Sequence, residues 1–591
     1  MIAGENSTFE IIRAKNGLTT LKYHGNREVF LHSGFDPEME GRRWAEGVDC
    51  QPDDTVIVLG IGLGYHIKAL ARRLTSGKII AIEPHEELIA SCSNYWVFKD
   101  LITKNKVIIL SSEQPSKNFL AGLVDPFHLE KVKIAEYHPL RYYFSREFID
   151  ILREINNSLS HLFVSANTVL YFSRTWTQNF FANLDKILTA VPANLFKDVF
   201  PNRPGIIVSA GPSLNKNIHL LKKAKGKAVI IVVGTALRPV TAIDVKPDIA
   251  VSLDGSEANY RHFQELSISG FPLLFDAIIY PQILREHQGP LIASVFYDTF
   301  SRWLINSGLQ VPGQISIGPS VANMAFDFAL KLGLDPIIFV GQDLAFSDGH
   351  THARGTVYEK NKPTDDKANL LEIDGFDGGK VLTSRSLHSM LLYLETQIAL
   401  TANGRNIINA TEGGAKIAGT RAMTLNEAIN LYCKDKFDPE EKIQAICSSY
   451  NPPGLDAMGK LAQKIKEEIG GLEKTSKIAR SGLRLANNLE LLLRAKEPLQ
   501  HKINKLLKRL DAVDKELKNL SAGLLPVDMA FQPVWFYLNK GAFDKEAEDQ
   551  HTEGIRLAKK IQFLYHGLIE SINIVKESML QAAKNIDRGS E

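Results

Sequence analysis

The chain has 591 residues, with 69 Lys and Arg against 67 Asp and Glu, a formal net charge of +2, 44% hydrophobic residues and 23% charged residues. At about 150 residues per domain this predicts roughly three to four domains, and the average apolar and charged fractions exclude wholesale disorder, collagen and a coiled-coil rod. So balanced a charge excludes a protein whose main business is coating nucleic acid or an anionic membrane.

Cys50, Cys92, Cys433 and Cys447 are scattered, which predicts neither a disulfide scaffold nor a zinc ribbon. The opening MIAGENSTFEIIRAKNG lacks the basic-then-apolar pattern of a signal peptide. No apolar run approaches the roughly 18 residues a membrane helix needs. The expectation is a soluble cytoplasmic protein.

Three regions follow in chain order. Residues 1–175 open with weakly alternating polar sequence, which predicts short antiparallel strands. They continue with Thr55–Leu59 (TVIVL), Lys78–Ile82 (KIIAI) and Lys106–Leu110 (KVIIL), continuous apolar runs of the kind buried on both faces of a parallel sheet. Tyr65–Leu74 has helical spacing, so strand, helix and strand imply a right-handed crossover. Residues 176–431 repeat the pattern with Gly205–Ser209, Ala228–Val233, Ile249–Leu253, Pro272–Phe275, Leu291–Val295 and Pro336–Val340. The polar stretch Ser347–Lys380 interrupts it, and a long irregular stretch inside a domain reads as a lid or a disordered loop. Residues 432–591 are helical. Leu499, Ile503, Leu506, Leu510, Val513, Leu517 and Leu520 recur at alternating steps of four and three, and Leu455, Met458, Leu461, Ile465, Ile469 and Leu472 form a second stripe. Such stripes read as helix packing within the chain, with an oligomerisation or partner helix as the alternative. The fold class is α/β: two Rossmann-like domains, then an all-α domain.

Polar residues gather at strand ends. Gly60, Gly62 and Gly64 follow the first apolar run, and Glu83 ends the second. Such glycines let backbone approach a ligand, and such an acid can bond ribose hydroxyls. This half resembles adenosylmethionine-dependent methyltransferases, but Lys133–Pro139 (KIAEYHP) lacks their acceptor signature. Both a structural turn and a second ligand site stay open. In the second region Gly211 and Ser213 follow one strand, Gly234 and Thr235 the next, and Asp254 the third. In an open α/β sheet the ligand lies beyond the carboxyl ends of the strands, so Ser213, Thr235 and Asp254 predict a nucleotide site. Ser213 is otherwise a plain helix cap. Ser320 is a natural helix cap, and Gly341 and Asp343 lie at a later strand end. Asn409, Thr411 and Glu412 follow strand-like Asn406–Ile408 and are placed near the same crevice. Asp365 and Asp366 read as solvated surface rather than a metal pair.

SAGPSL (209–214), the Val-Gly-Thr and Leu-Asp-Gly strand ends, IGPSVAN (317–323), LGLDPIIFVGQDLAF (332–346), HTHARG (350–355) and NATEGGAKI (409–417) together resemble the motility-associated factor (Maf) glycosyltransferases. The Gly-rich turn at 60–64 is similar to that family's N-terminal domain. The resemblance covers most of the chain and is weakest over the C-terminal helices. It implies transfer of a nonulosonic acid, pseudaminic or legionaminic, from a CMP-activated donor to Ser/Thr hydroxyls of flagellin. It also implies a central domain similar to bacterial sialyltransferases, whose motifs Gly211–Ser213, Gly341–Asp343 and Ser320 match. Ala210 and Gly234-Thr235 stand where those enzymes have Asn, so not all cytidine contacts carry over.

Such enzymes work without a metal or other cofactor, with Tyr hydroxyls on the phosphate and a His base. His350, His352 and Tyr358 are the candidates here, with Arg354 and Lys360 as neutralising cations. His388, in a helical stretch, reads as structural. Three alternatives remain: a pterin diphosphokinase-like enzyme using ATP and magnesium, a non-catalytic flagellin-binding or chaperone protein, and an N-terminal methyltransferase. Homo-oligomerisation through the C-terminal helices is a further expectation.

Overall fold

The computed structural model describes residues 8–25, 28–111, 120, 122–126, 128–347, 349–361, 370–495, 499–539 and 550–589. Two units divide the chain, Met1–Ala166 and Asn167–Glu591.

In the first unit, Phe9–Arg13 (β1), Thr19–His24 (β2) and Glu28–Phe30 (β3) form an antiparallel sheet. Thr55–Leu59 (β4), Lys78–Glu83 (β5), Val107–Ser111 (β6) and Val132–Glu136 (β7) form a parallel sheet in the order β6-β5-β4-β7. Strand side chains alternate between faces. Ile57, Leu59, Ile80 and Ile82 accordingly enter one core, and Val56, Val58, Ile79 and Ala81 another. Burial on both faces is why Val56–Leu59 and Ile79–Ile82 are apolar at every position.

The second unit is built on a nine-stranded parallel sheet of Val191–Pro192 (β8), Gly205–Val208 (β9), Val229–Val233 (β10), Ile249–Ser252 (β11), Leu273–Asp276 (β12), Leu291–Ser294 (β13), Ile337–Val340 (β14), Ile407–Asn409 (β17) and Arg421–Ala422 (β18). The order is β18-β17-β14-β9-β10-β11-β12-β13-β8. The stretch Ser347–Lys380 is not irregular throughout. Leu370–Asp374 (β15) and Lys380–Ser384 (β16) pair as an antiparallel hairpin, tied down where Phe346 N donates to Leu382 O at 2.8 Å and Thr383 Oγ1 to Leu344 O at 2.8 Å. Asp365 and Asp366 lie outside the described residues.

The C-terminal helices Leu455–Leu493, Gln500–Asn519 and Gln550–Gly589 pack together. Both apolar stripes serve that packing: Met458, Leu461, Ile465, Ile469 and Leu472 are buried, as are Ile503, Leu510 and Val513, while Leu455 and Leu499 at the stripe ends are exposed. Gly482 lets the helices meet closely, since a Cβ there would fall 2.6 Å from the Tyr565 ring. These helices share one continuous core with the sheet, and Trp303 Nε1 donates to Glu468 Oε2 at 2.8 Å. Among the described residues no helix is long and apolar enough to cross a membrane.

Candidate active site

The strand order locates a crevice. From β9 the chain steps outward through β10, β11, β12 and β13, then returns across β9 to β14 and continues to β17 and β18. Connections on either side of β9 leave in opposite directions, and such a switch point opens a crevice beyond the carboxyl ends of the two strands. The segments 209–213 and 341–343 lie at those two ends.

Asp343 is the hub. It is buried, and its carboxylate accepts from Ser213 N at 3.1 Å, Ser213 Oγ at 2.5 Å and Ser347 Oγ at 2.9 Å. Burial raises its pKa, and the Ser213 and Ser347 donors pull it back down. Backbone crowds the hub: Gly211 N donates to Gly341 O at 2.8 Å, and a Cβ on Gly211 would lie 2.1 Å from Asp343 Oδ1. Gly341, at φ +66°, would carry its Cβ 2.2 Å from Ser209 O. Ser213 therefore acts through the neighbouring strand end. The helix it opens, Leu214–Asn217, is a single turn with no side-chain cap.

The β17 end locks onto the same place. Thr411 Oγ1 accepts from Gln342 N at 3.3 Å, and Asn409 Oδ1 from Thr411 N at 3.1 Å. Glu412 holds Asn217 Nδ2 and Leu425 N on Oε1, each at 2.9 Å. Ser320 caps the helix Val321–Lys331 in a capping box with Asn323. That helix precedes β14 and packs on β9, β10 and β11, so its start lies on the carboxyl side of the sheet.

At the β10 and β11 ends, Gly234 is packed beside Ser252 Oγ, Phe263 and Asn259, and Thr235 is half-buried. Asp254 is exposed. Its Oδ1 accepts from Ser256 N at 2.8 Å, and its carbonyl from Asn259 Nδ2 at 2.8 Å. His262 follows. It is 3% exposed, its Nδ1 is buried without a hydrogen-bond partner, and burial first, then the nearby His352, pushes its pKa down to about 4. Its ring stands edge-on to Tyr358 at 5.1 Å, and Tyr358 also lies 5.1 Å from His352. The segment carrying His352 is anchored by Ala353 N to Ala210 O at 2.9 Å and Arg354 N to Asn215 Oδ1 at 2.9 Å.

The fold thus gathers His352, Tyr358, Gly211, Ser213, Gly341, Asp343, Asn409 and Thr411 around neighbouring strand ends, with the β11 loop reaching Tyr358 through His262. His350, Arg354 and Lys360 are exposed, and His388 lies in the helix Arg385–Thr401. His262 was not anticipated. Nothing in NYRHFQ marks it, and only the crossing of the β11 loop with segment 350–358 makes it notable. Beyond the β12 end, the last turn of the helix Ser145–Ala182 and the turn residue that follows it brace the loops. Asn179 Nδ2 donates to Gly255 O and Ile278 O, both at 2.9 Å, and Asn183 Nδ2 to Ala277 O at 3.1 Å and Ile279 O at 2.8 Å. A cavity of about 330 Å³ lined by Lys186, Val191, Leu291 and Cys447 opens at the opposite, amino-terminal ends of β8 and β13, away from all of these residues.

The Gly-rich turn of the first unit is arranged differently. Glu83 is buried. Its Oε2 accepts from Ile61 N at 2.7 Å and Gly62 N at 3.1 Å, and its Oε1 from His85 N at 3.3 Å. Leu63 N donates to His32 Nε2 at 2.9 Å, and Tyr137 Oη lies 2.9 Å from His32 Nδ1. A Cβ at Gly62 would lie 2.4 Å from His32 Nε2, and one at Gly64 2.1 Å from the Phe98 ring. Gly60 N is taken by Ile82 O at 2.8 Å.

Comparison with known proteins gives four findings. Residues 17–164 match the family model described as the glycosyltransferase Maf N-terminal domain, and residues 178–349 match that described as 6-hydroxymethylpterin diphosphokinase MptE-like. An uncharacterized protein of Treponema pallidum (strain Nichols) is 26% identical over 128 residues, which span 20% of this chain and 33% of that protein. The solved structure of a Maf glycosyltransferase from Magnetospirillum magneticum AMB-1 superposes with a TM-score of 0.57 at 15% identity, covering 99% of this chain and 94% of the other. The N-terminal part of the chain is thus matched by the Maf model, and its fold is shared with a Maf structure over nearly its whole length.

Proposed function

We propose that this protein is a glycosyltransferase that moves a nonulosonic acid from a CMP-activated donor to Ser/Thr hydroxyls of flagellin. The observation that carries the reading is the convergence, at one switch point, of the Ser213–Asp343–Ser347 hydroxyl–carboxylate set with the His352–Tyr358 pair. Such a donor carries its own leaving group. The enzyme has to hold the nucleotide, stabilise charge on the departing phosphate and remove a proton from the acceptor hydroxyl. In this reading the nucleotide lies along Gly211–Ser213, Gly234-Thr235, Asp254, Ser320, Gly341–Asp343 and Asn409–Thr411. Tyr358 donates to the phosphate, and a neutral imidazole takes the proton. His352 suits that task, because burial lowers its pKa and keeps the ring unprotonated at neutral pH. The reaction asks for no metal ion.

The match of residues 178–349 to a pterin diphosphokinase family favours one other reading, in which the same crevice holds ATP with magnesium. Thermal shift of the full chain separates the two. Stabilisation by CMP and not by ATP–magnesium supports sugar transfer, and the reverse result overturns it. Intact-mass analysis of flagellin from cells with and without the protein tests the acceptor. A sugar-sized mass increment lost with the protein is expected, and identical masses would remove flagellin as the acceptor.

A further inference from the structure

The hydrogen bonds around His352 decide which of its nitrogens is available. Thr351 Oγ1 donates its proton to Asn361 O at 3.1 Å, and His352 Nδ1 lies 3.0 Å from the same Thr351 Oγ1. A threonine hydroxyl has one proton. Once that proton is committed to a carbonyl, the oxygen can only accept. The tautomer follows from this network: His352 carries its proton on Nδ1 and keeps a lone pair on Nε2. Asn361 is fixed in turn, its N donating to Tyr358 O at 2.9 Å, so the turn that carries Tyr358 also anchors the acceptor of the Thr351 proton.

We propose that Thr351 is a positioning residue that sets His352 in the Nδ1–H tautomer and so makes Nε2 the base of the transfer. This rests on the glycosyl-transfer reading above. In the step itself, the acceptor oxygen bonds to the anomeric carbon as its proton passes to His352 Nε2. The anomeric C–O bond to phosphate breaks, with its electron pair leaving on CMP. The imidazolium so formed has its Nδ1–H already directed at an oxygen, an arrangement that stabilises the positive ring without a carboxylate. The ionisable groups facing the ring are Tyr358, 5.1 Å away, and His262, close enough for the two imidazoles to interact. Burial holds His262 neutral, so it adds no charge that would oppose proton uptake. His350 has no such arrangement: its backbone N donates to Ser347 O at 3.0 Å and it stands exposed.

The test uses the full chain with ¹⁵N-labelled imidazoles, the His352 signals being assigned by their loss in His352→Gln. A proton on Nδ1 in the wild type is expected, and a proton on Nε2 overturns the inference whatever the protein transfers. Thr351→Val should release the tautomer, lower kcat by about 10- to 100-fold with KM unchanged, and shift the acid limb of the pH–kcat profile downward, since the protonated ring loses its acceptor. Thr351→Ser should restore all three. If Thr351→Val changes the tautomer yet leaves kcat and the profile as they were, the positioning role is wrong. If His352→Gln itself transfers sugar normally, the base assignment beneath it has failed instead. The wild-type spectrum and the Ser variant keep the question decidable even if the Val variant does not fold.

Discussion

The two Gly-rich turns of this chain use one device to opposite ends. Each follows a buried parallel strand, and each is braced by a carboxylate from the next strand in space, Glu83 for the turn at 60–64 and Asp343 for the turn at 209–213. Glu83 spends itself on backbone amides, and His32 takes the amide of Leu63. The groups such a turn offers a phosphate are consumed inside the fold. Asp343 takes one backbone amide, Ser213 N, and also orients two hydroxyls, Ser213 and Ser347, beside a segment that carries His352 and Tyr358 and meets the unpartnered His262 Nδ1 of the β11 loop. A glycine pattern at a strand end thus reports close backbone approach. Whether a ligand can enter depends on what the neighbouring carboxylate does.

The sharpest way to break this contrast is Asp343→Ala. It strands the Ser213 hydroxyl and amide and the Ser347 hydroxyl in a buried site, which costs roughly 2–4 kcal/mol of stability, and it should abolish stabilisation by CMP. Urea unfolding and thermal shift check the two effects, and retained CMP stabilisation would remove Asp343 from the site. Next in size is the pH response of the other turn. Burial pushes the Glu83 pKa up from near 4.5 to about 7, against the pull of its backbone donors. The folded state therefore holds a proton that the unfolded state has lost between those values. Stability falls as pH rises through that window, by on the order of 3 kcal/mol, and Glu83→Gln should remove that share. Asp276, also raised to about 7 by burial, leaves a residual slope in the variant. Unfolding measured near pH 5 and near pH 7.5 reads both, and an unchanged slope in Glu83→Gln would show that the carboxylate is not held as described. Smallest is His350→Ala. An exposed side chain off the His352–Tyr358 cluster should change stability by less than about 0.5 kcal/mol and leave flagellin mass unaltered. A lost mass increment would return His350 to the mechanism.

Much of this was legible in the sequence, for a physical reason. Parallel strands buried on both faces are apolar throughout, so TVIVL, KIIAI, VIIVV and PIIFV stand out, and their ends point to the crevice. The hairpin Leu370–Ser384 was hidden because its strands are half-exposed and mix Glu, Asp, Lys and Thr with Leu and Val. Val191–Pro192 and Arg421–Ala422 are too short to carry a period. At the site, Ser213 and Asp343 could be named from strand ends, but their direct bond spans 130 residues and no local pattern encodes it. His262 lies in no motif, and Thr351 stands inside HTHARG without that pattern marking a role for it. One matters through its burial and the other through the direction of a single hydroxyl proton.

Asn179 and Asn183 carry a lesson of another kind. Spaced one helical turn apart, they spend both protons of each side-chain amide on loop carbonyls beyond β11 and β12. An aspartate of the same shape would face those carbonyls with lone pairs, and a glutamine would overshoot by a methylene. The shape of that side of the crevice is therefore written partly at a helix end and in the turn that follows it, at two positions where a search for binding motifs would see only ordinary polar residues.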